Sequence, residues 1–177
     1  MRRSICNANV VEISGDVLLY STNVQLALTG GVGAALRAKF GLHVQYALNA
    51  AADMAGRSVV EVGDVFETTH PGMPWKHIFH SVATTEQYRT DPLVVSRILK
   101  HCLRRCAELG CRRLVSSPLG AGYGDLKLPE FVRLVDEAIE ESGGDLEEIC
   151  IVCWDSGEFK KLAAAISASS FKYATEG

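Results

Sequence analysis

The sequence predicts an α/β fold, a mixed sheet with helices on both faces. Three observations carry this. Strand-like and helix-like runs take turns along the chain, which is the pattern of a sheet covered on two sides. The chain has 177 residues, 47% of them hydrophobic and 22% charged, the size and balance of one domain with a real core. One pair of strand-like runs is joined only by the turn-rich "HPGMPW", too short for a crossover, so those two strands are antiparallel and the sheet is mixed.

The elements follow in order. The opening "MRRSICNANVVEI" has basic residues but no apolar stretch long enough for a signal peptide, and its strand is expected in "ANVVEI". "DVLLYST" is the second strand. Helices are expected from Val32 to Phe40 and from His43 to Ala55. "DVFETT" and "KHIFHSV" form the antiparallel pair, and three residues of separation send His77 and His80 to opposite faces. A helix from Pro92 to Leu109 repeats Val95, Ile98, Cys102, Cys106 and Leu109 at helical spacing. "RRLVSSP", a helix from Pro129 to Glu141, "EEICIVCW" and a helix from Gly157 to Ala168 complete the pattern. Residues 1–170 read as one domain and 171–177 as a tail, with "SASSFKYATEG" taken as a frayed end. There is no internal repeat and no low-complexity segment.

Composition narrows the partners. A formal charge of −3 argues against electrostatic gripping of nucleic acid, and Lys100–His101 and Arg104–Arg105 read as the solvated face of a helix. No run of 18 or more apolar residues offers a membrane span. A cytoplasmic protein is expected, with its six cysteines reduced and mostly buried. Cys150 and Cys153 face opposite ways on a strand, and Cys102, Cys106, His101 and Cys111 match no established zinc spacing. Neither a metal nor a cofactor is expected.

The chemistry lies in two bare loops, "LTGGVGAAL" after "DVLLYSTN" and "SPLGAGYGDL" after "RRLVS". Ligands in such sheets bind at the carboxyl ends of parallel strands. A glycine-rich turn entering a helix leaves amide N–H groups aimed at one spot, which suits a phosphate. Two such loops could close on a pyrophosphate from both sides; the alternative for each is a tight helix-entry turn. Neither loop has the Gly-Lys-Ser/Thr of a P-loop, and "GGVGAA" lacks the last glycine of a dinucleotide fingerprint.

"DVLLYSTNVQLALTGGVGAAL" resembles the macrodomain signature D-A-I-V-N-A-A-N-x-x-L-x-x-G-G-G-V-A-G-A-I, with Asp16, Asn23, Leu26, Gly30, Gly31, Val32 and Ala35 in step. "VGDVFETTHPGMPWKHIFHSVA", "SSPLGAGYGDLKLPEF" and "ICIVCWDSGEF" are similar to three further family segments. They occur in the right order, from about Asn9 to Ile166. The resemblance implies a three-layer α/β/α fold that binds ADP-ribose, free or attached to a protein. It implies that Asn9 meets the adenine and Asn23 the distal ribose, with Val10 also among the ligand-binding residues. Gly30, Gly31, Val32 and Gly33 would surround the pyrophosphate and that ribose, with Leu119, Gly120, Ala121, Gly122, Tyr123 and Gly124 opposite. Trp154 would flank the adenine, the alternative being a core tryptophan at a strand end.

The departures bear on activity. Asn9 stands where the family has an Asp that accepts from the adenine amino group, and a neutral oxygen makes a weaker bond. Tyr20 replaces the first Asn of N-A-A-N. Gly33 stands where many de-ADP-ribosylating members carry an acid. Asp125 is the best-placed alternative acid, although Asp in such a turn more often caps or braces; His43 and His70 are remaining bases near loops. The readings are a binder of ADP-ribose or a related nucleotide, a hydrolase of ADP-ribosylated protein or of ADP-ribose derivatives such as the O-acetyl ester or 1''-phosphate, and an interaction module that has lost the nucleotide.

Overall fold

A computed structural model describes residues 1–56, 59–167 and 172–176. Its elements run β1 (Arg2–Asn7), a 3-10 helix (Val10–Glu12), β2 (Val17–Thr22), α1 (Gly31–Phe40), α2 (His43–Met54), β3 (Val65–Thr69), β4 (His77–Val82), α3 (Pro92–Glu108), β5 (Arg113–Ser116), α4 (Leu128–Ser142), β6 (Glu148–Cys153), α5 (Ser156–Ser167) and β7 (Ala174–Glu176). They form a seven-stranded sheet ordered β3-β4-β2-β5-β6-β1-β7. Every pairing is parallel except β3 with β4, which confirms the mixed sheet and its antiparallel pair.

Strand periodicity divides the core in two. Leu19, Leu114, Ile149 and Ile5 pack under α3, α4 and α5. Leu18, Tyr20, Val115, Cys150 and Cys6 pack under α1, α2 and the 3-10 helix. Cys150 and Cys153 fall in different layers, as their spacing requires. All six cysteines are buried. Among the described residues no helix is long and apolar enough to cross a membrane, and no cluster of His, Cys, Asp or Glu is built to hold a metal.

Two expectations are corrected. "ANVVEI" is a turn of 3-10 helix, because Asn9 caps it through Oδ1 to the Val11 amide at 3.3 Å and the Glu12 and Ile13 amides bond back three residues. Val10 and Val11 are both buried against the α1 and α2 layer. The strand lies earlier, at Arg2–Asn7, paired with β6. The tail is not wholly frayed: Ala174–Glu176 pairs with β1 as β7. Ala168, expected as the end of the last helix, and residues 169–171 and 177 of the tail lie outside the described residues.

Candidate functional site

Parallel strands bring their carboxyl ends to one edge of the sheet. There β1 and β2 lead to elements of one layer, the 3-10 helix and α1, while β5 and β6 lead to α4 and α5 of the other. The order β2-β5-β6-β1 therefore opens a crevice between diverging connections. Three strand spacings make it about 14 Å long, which suits an extended diphosphate better than a single phosphate.

Both glycine loops sit on this crevice. The first, residues 23–30, leaves β2. Asn23 folds it by donating Nδ2 to the Ala27 carbonyl and accepting the Ala27 amide on Oδ1, both at 3.1 Å. A primary amide has two donor hydrogens and a carbonyl with two lone pairs, so one hydrogen and one lone pair of Asn23 lie beyond these bonds. Gly30 caps α1 with no side-chain bond, and Gly31 has a left-handed φ of 52°. Gly33 is buried: a methyl there would stand 3.0 Å from Leu28 Cδ2 and 3.2 Å from Leu28 Cα. Packing against Leu28 favours a glycine at this position.

The second loop leaves β5. Gly120 has φ 67°, and a methyl on Gly124 would collide with the Gly120 carbonyl oxygen, so this turn closes on itself only with glycine. Gly122 faces open space, and Ala121 is half-buried. Tyr123 reaches across to the first loop, with its Cε2 3.4 Å and 3.5 Å from where methyls on Gly30 and Gly31 would lie. The two loops thus meet, and the Tyr123 ring is 72% exposed. Leu119 and Val10 are core residues and can offer a ligand only their backbone; Val32 is half-buried against the α1 layer.

The adenine end of the expected site is at β6 and β1. Trp154 is 80% exposed, so it is not the core tryptophan of the alternative reading. Its backbone is held while its ring is presented: Asn7 Nδ2 donates to the carbonyls of Cys153 and Trp154 at 2.9 and 3.3 Å, and the Ala8 amide to Cys153 at 3.1 Å. Asn9, two residues beyond Asn7, is exposed and accepts the Val11 amide on Oδ1.

A third loop, residues 83–91 after β4, was not anticipated. It is tied to the first by Gln25 Nε2 donating to Glu86 at 2.9 Å. It is tied to the second by Asp125, which accepts from the Thr90 amide at 2.7 Å and from Arg89 at 2.9 Å. The Thr90 amide, with Arg89 in support, holds the Asp125 carboxyl below its ordinary range; it braces a loop and is poorly suited to donating a proton. Tyr88, with φ 58°, lays its ring against Tyr123 at 5.9 Å between centroids. The signal available in sequence was position alone: this loop also leaves a parallel strand.

The other singled-out residues lie elsewhere. Asp16 is at the opposite end of β2. Burial works against its charge, but the Arg112 and Arg113 amides and Lys76 prevail and keep its pKa low. Tyr20 is fully buried and donates to His80 Nδ1 at 2.6 Å. His80 Nε2 meets Thr68 Oγ1 at 2.7 Å, and Thr68 meets His70 Nε2 at 3.0 Å. The order that gives each hydrogen an acceptor runs from Tyr20 through His80 and Thr68 to His70. His43, on α2, lies edge-on to His70 at 5.8 Å and so faces the end of this relay. A cavity of about 580 Å³ opens beyond the second loop, lined by Leu126, Lys127, Leu128, Lys161 and Ala165 among others, and none of its lining comes from the first loop.

Comparison with known proteins agrees with this architecture. Residues 20–135 match the Macro domain family. The chain is 25% identical over 162 residues to an uncharacterised protein of Mycobacterium tuberculosis, covering 91% of this chain but 44% of that one, so it spans less than half the length of the curated relatives it matches. Among solved structures, a Trypanosoma brucei macrodomain in complex with ADP-ribose superposes with a TM-score of 0.75 at 19% identity, covering 93% of this chain and 69% of that one. The macrodomain of Thermus aquaticus DarG superposes with a TM-score of 0.69 at 24% identity, covering 85% and 97%.

Proposed function

Because the chain belongs to the Macro domain family, we propose that it binds ADP-ribose, free or carried on a protein, in the crevice between its two glycine loops. The observation that carries this reading is the meeting of the loops through Tyr123 over Gly30 and Gly31, at the one sheet edge where connections diverge. Neither "TGGVG" nor "GAGYG" contains a lysine or arginine, so recognition of the diphosphate falls to backbone amides. Trp154 and Asn9 take the adenine end, and Asn23 takes the distal ribose with the hydrogen and lone pair its loop bonds leave over.

Binding without efficient turnover follows from the same residues. Gly33 has no side chain, and a methyl there would press on Leu28, while Asp125 is engaged by Thr90 and Arg89. A positioned acid or base is typically worth about a hundredfold or more in rate. Calorimetric titration with ADP-ribose, ADP and AMP tests the reading: ADP-ribose binds tightest, ADP more weakly and AMP weakest. The variant Gly31→Val, which forces a branched side chain into a left-handed backbone and against the diphosphate, binds at least tenfold more weakly. Equal affinity of the variant and the parent would remove the first loop from the site.

A further inference from the structure

We propose that Tyr88, Tyr123 and Glu86 form a second docking position for an arginine guanidinium, one lying close to the modified residue of an ADP-ribosylated protein. This rests on the ADP-ribose reading above and names the substrate class it serves.

The rings are presented rather than packed. Tyr88 is 54% and Tyr123 is 72% exposed, yet they touch each other at 5.9 Å and 39°. Tyr88 is held at φ 58°, a left-handed backbone conformation unfavourable for a residue that carries a side chain. Its turn is fastened by the Tyr88 amide to the Thr85 carbonyl at 3.0 Å, the Thr85 amide to Arg89 at 3.0 Å and the Arg89 amide to Thr85 Oγ1 at 3.1 Å. The same loop is bonded to both glycine loops. Strain maintained by so many bonds at the mouth of a crevice is a reason to look for a ligand there.

Position and charge select the ligand. Tyr123 covers Gly30 and Gly31 at the Asn23 end of the crevice, so a group attached beyond the distal ribose emerges beside the two rings. Aromatic faces take flat bases or cations. A 39° tilt at 5.9 Å leaves no slot for a base between the rings. The loop carries Glu86 and Asp91, while its Arg89 is engaged by Asp125 at 2.9 Å; this repels a phosphodiester chain and attracts a cation. Guanidinium, planar and weakly hydrated, stacks on a tyrosine face while donating to a carboxylate. Gln25 bonds Oε1 of Glu86, and Oε2 is not part of that bond.

The test measures affinities of free ADP-ribose, two mono-ADP-ribosylated peptides differing only by an arginine or an alanine beside the modified residue, and an ADP-ribosylated oligonucleotide. The wild type prefers the arginine peptide over the alanine peptide about fivefold. In Tyr88→Asn, which tolerates the left-handed turn, and in Glu86→Gln, that preference is lost while free ADP-ribose binds within about twofold of the parent. Equal affinity for the two peptides, a preference that survives in Tyr88→Asn, or tighter binding of the oligonucleotide overturns this inference alone. Failure of the wild type to bind free ADP-ribose overturns the functional reading and this inference with it.

Discussion

Leu28 fills the space that a side chain at Gly33 would need, with its Cα 3.2 Å and its Cδ2 3.0 Å from where a methyl would lie. Backbone cannot retreat as a flexible side chain can. Gly33→Asp therefore does not supply a working acid. It lowers stability by about 1–3 kcal/mol in urea unfolding and gives no release of ADP-ribose from a modified carrier. A variant as stable as the parent, or one that turns over the carrier, contradicts this packing account.

The second loop separates two glycines of different kinds. Gly124→Ala drives a methyl into the Gly120 carbonyl oxygen and Thr90 Oγ1, whereas Gly122 has nothing within 4 Å. Thermal unfolding should show a loss of at least about 2 kcal/mol for Gly124→Ala and a change within about 0.5 kcal/mol for Gly122→Ala. Similar effects at the two positions would mean that the turn does not close in this way.

Trp154 makes its contribution to binding rather than to folding. Its exposure of 80% predicts that Trp154→Ala unfolds within about 0.5 kcal/mol of the parent. Base stacking is worth about 1–3 kcal/mol, and that loss should appear equally with ADP-ribose and with AMP, since both carry adenine. A loss confined to ADP-ribose would put Trp154 at the other end of the crevice.

Acid should weaken the fold through the relay of Tyr20, His80, Thr68 and His70, which faces His43 from α2. Burial, and then the neighbouring His70, draws the His80 pKa down from 6.5 to about 3; burial and His43 lower that of His70 as well. The unfolded chain takes up these protons below pH 6.5 while the folded chain refuses them. Stability is complete above that pH and falls by about 1.4 kcal/mol per unit for His80 as the pH drops toward 3. Urea midpoints at pH 7.5, 6.5 and 5 check this, a window above most carboxylate titration. His80→Gln should flatten the slope, and a slope unchanged by that variant would exclude His80 as its source.

The sequence revealed most where a residue type has few structural uses. Glycines clustered after apolar runs marked both loops, and odd spacing placed Cys150 and Cys153 in separate layers. β1 was obscured because Arg2 and Arg3 interrupt its apolar pattern; their partners Glu148 and Asp136 lie far along the chain. "ANVVEI" has the composition of a strand, and only the cap from Asn9 reveals the turn. The third loop is polar and glycine-free, so nothing local distinguishes Tyr88 from a surface residue. The Tyr20–His80 bond joins residues 60 apart, beyond the reach of any pattern read along the chain.

The pairing of β1 with β6, Arg2 opposite Glu148 through Asn7 opposite Cys153, sets a waiting time during synthesis. At about 5–20 residues per second, the ribosome takes roughly 7–30 s to deliver β6 after β1 has emerged. Throughout that interval Ile5 and Cys6, buried in the finished protein, belong to a strand with no neighbour on either edge. Arg2 and Arg3 act as gatekeepers for it: charges at the head of an apolar strand discourage its pairing with another nascent chain. The two arginines that hid the strand from pattern reading thus protect it until its proper partner is made.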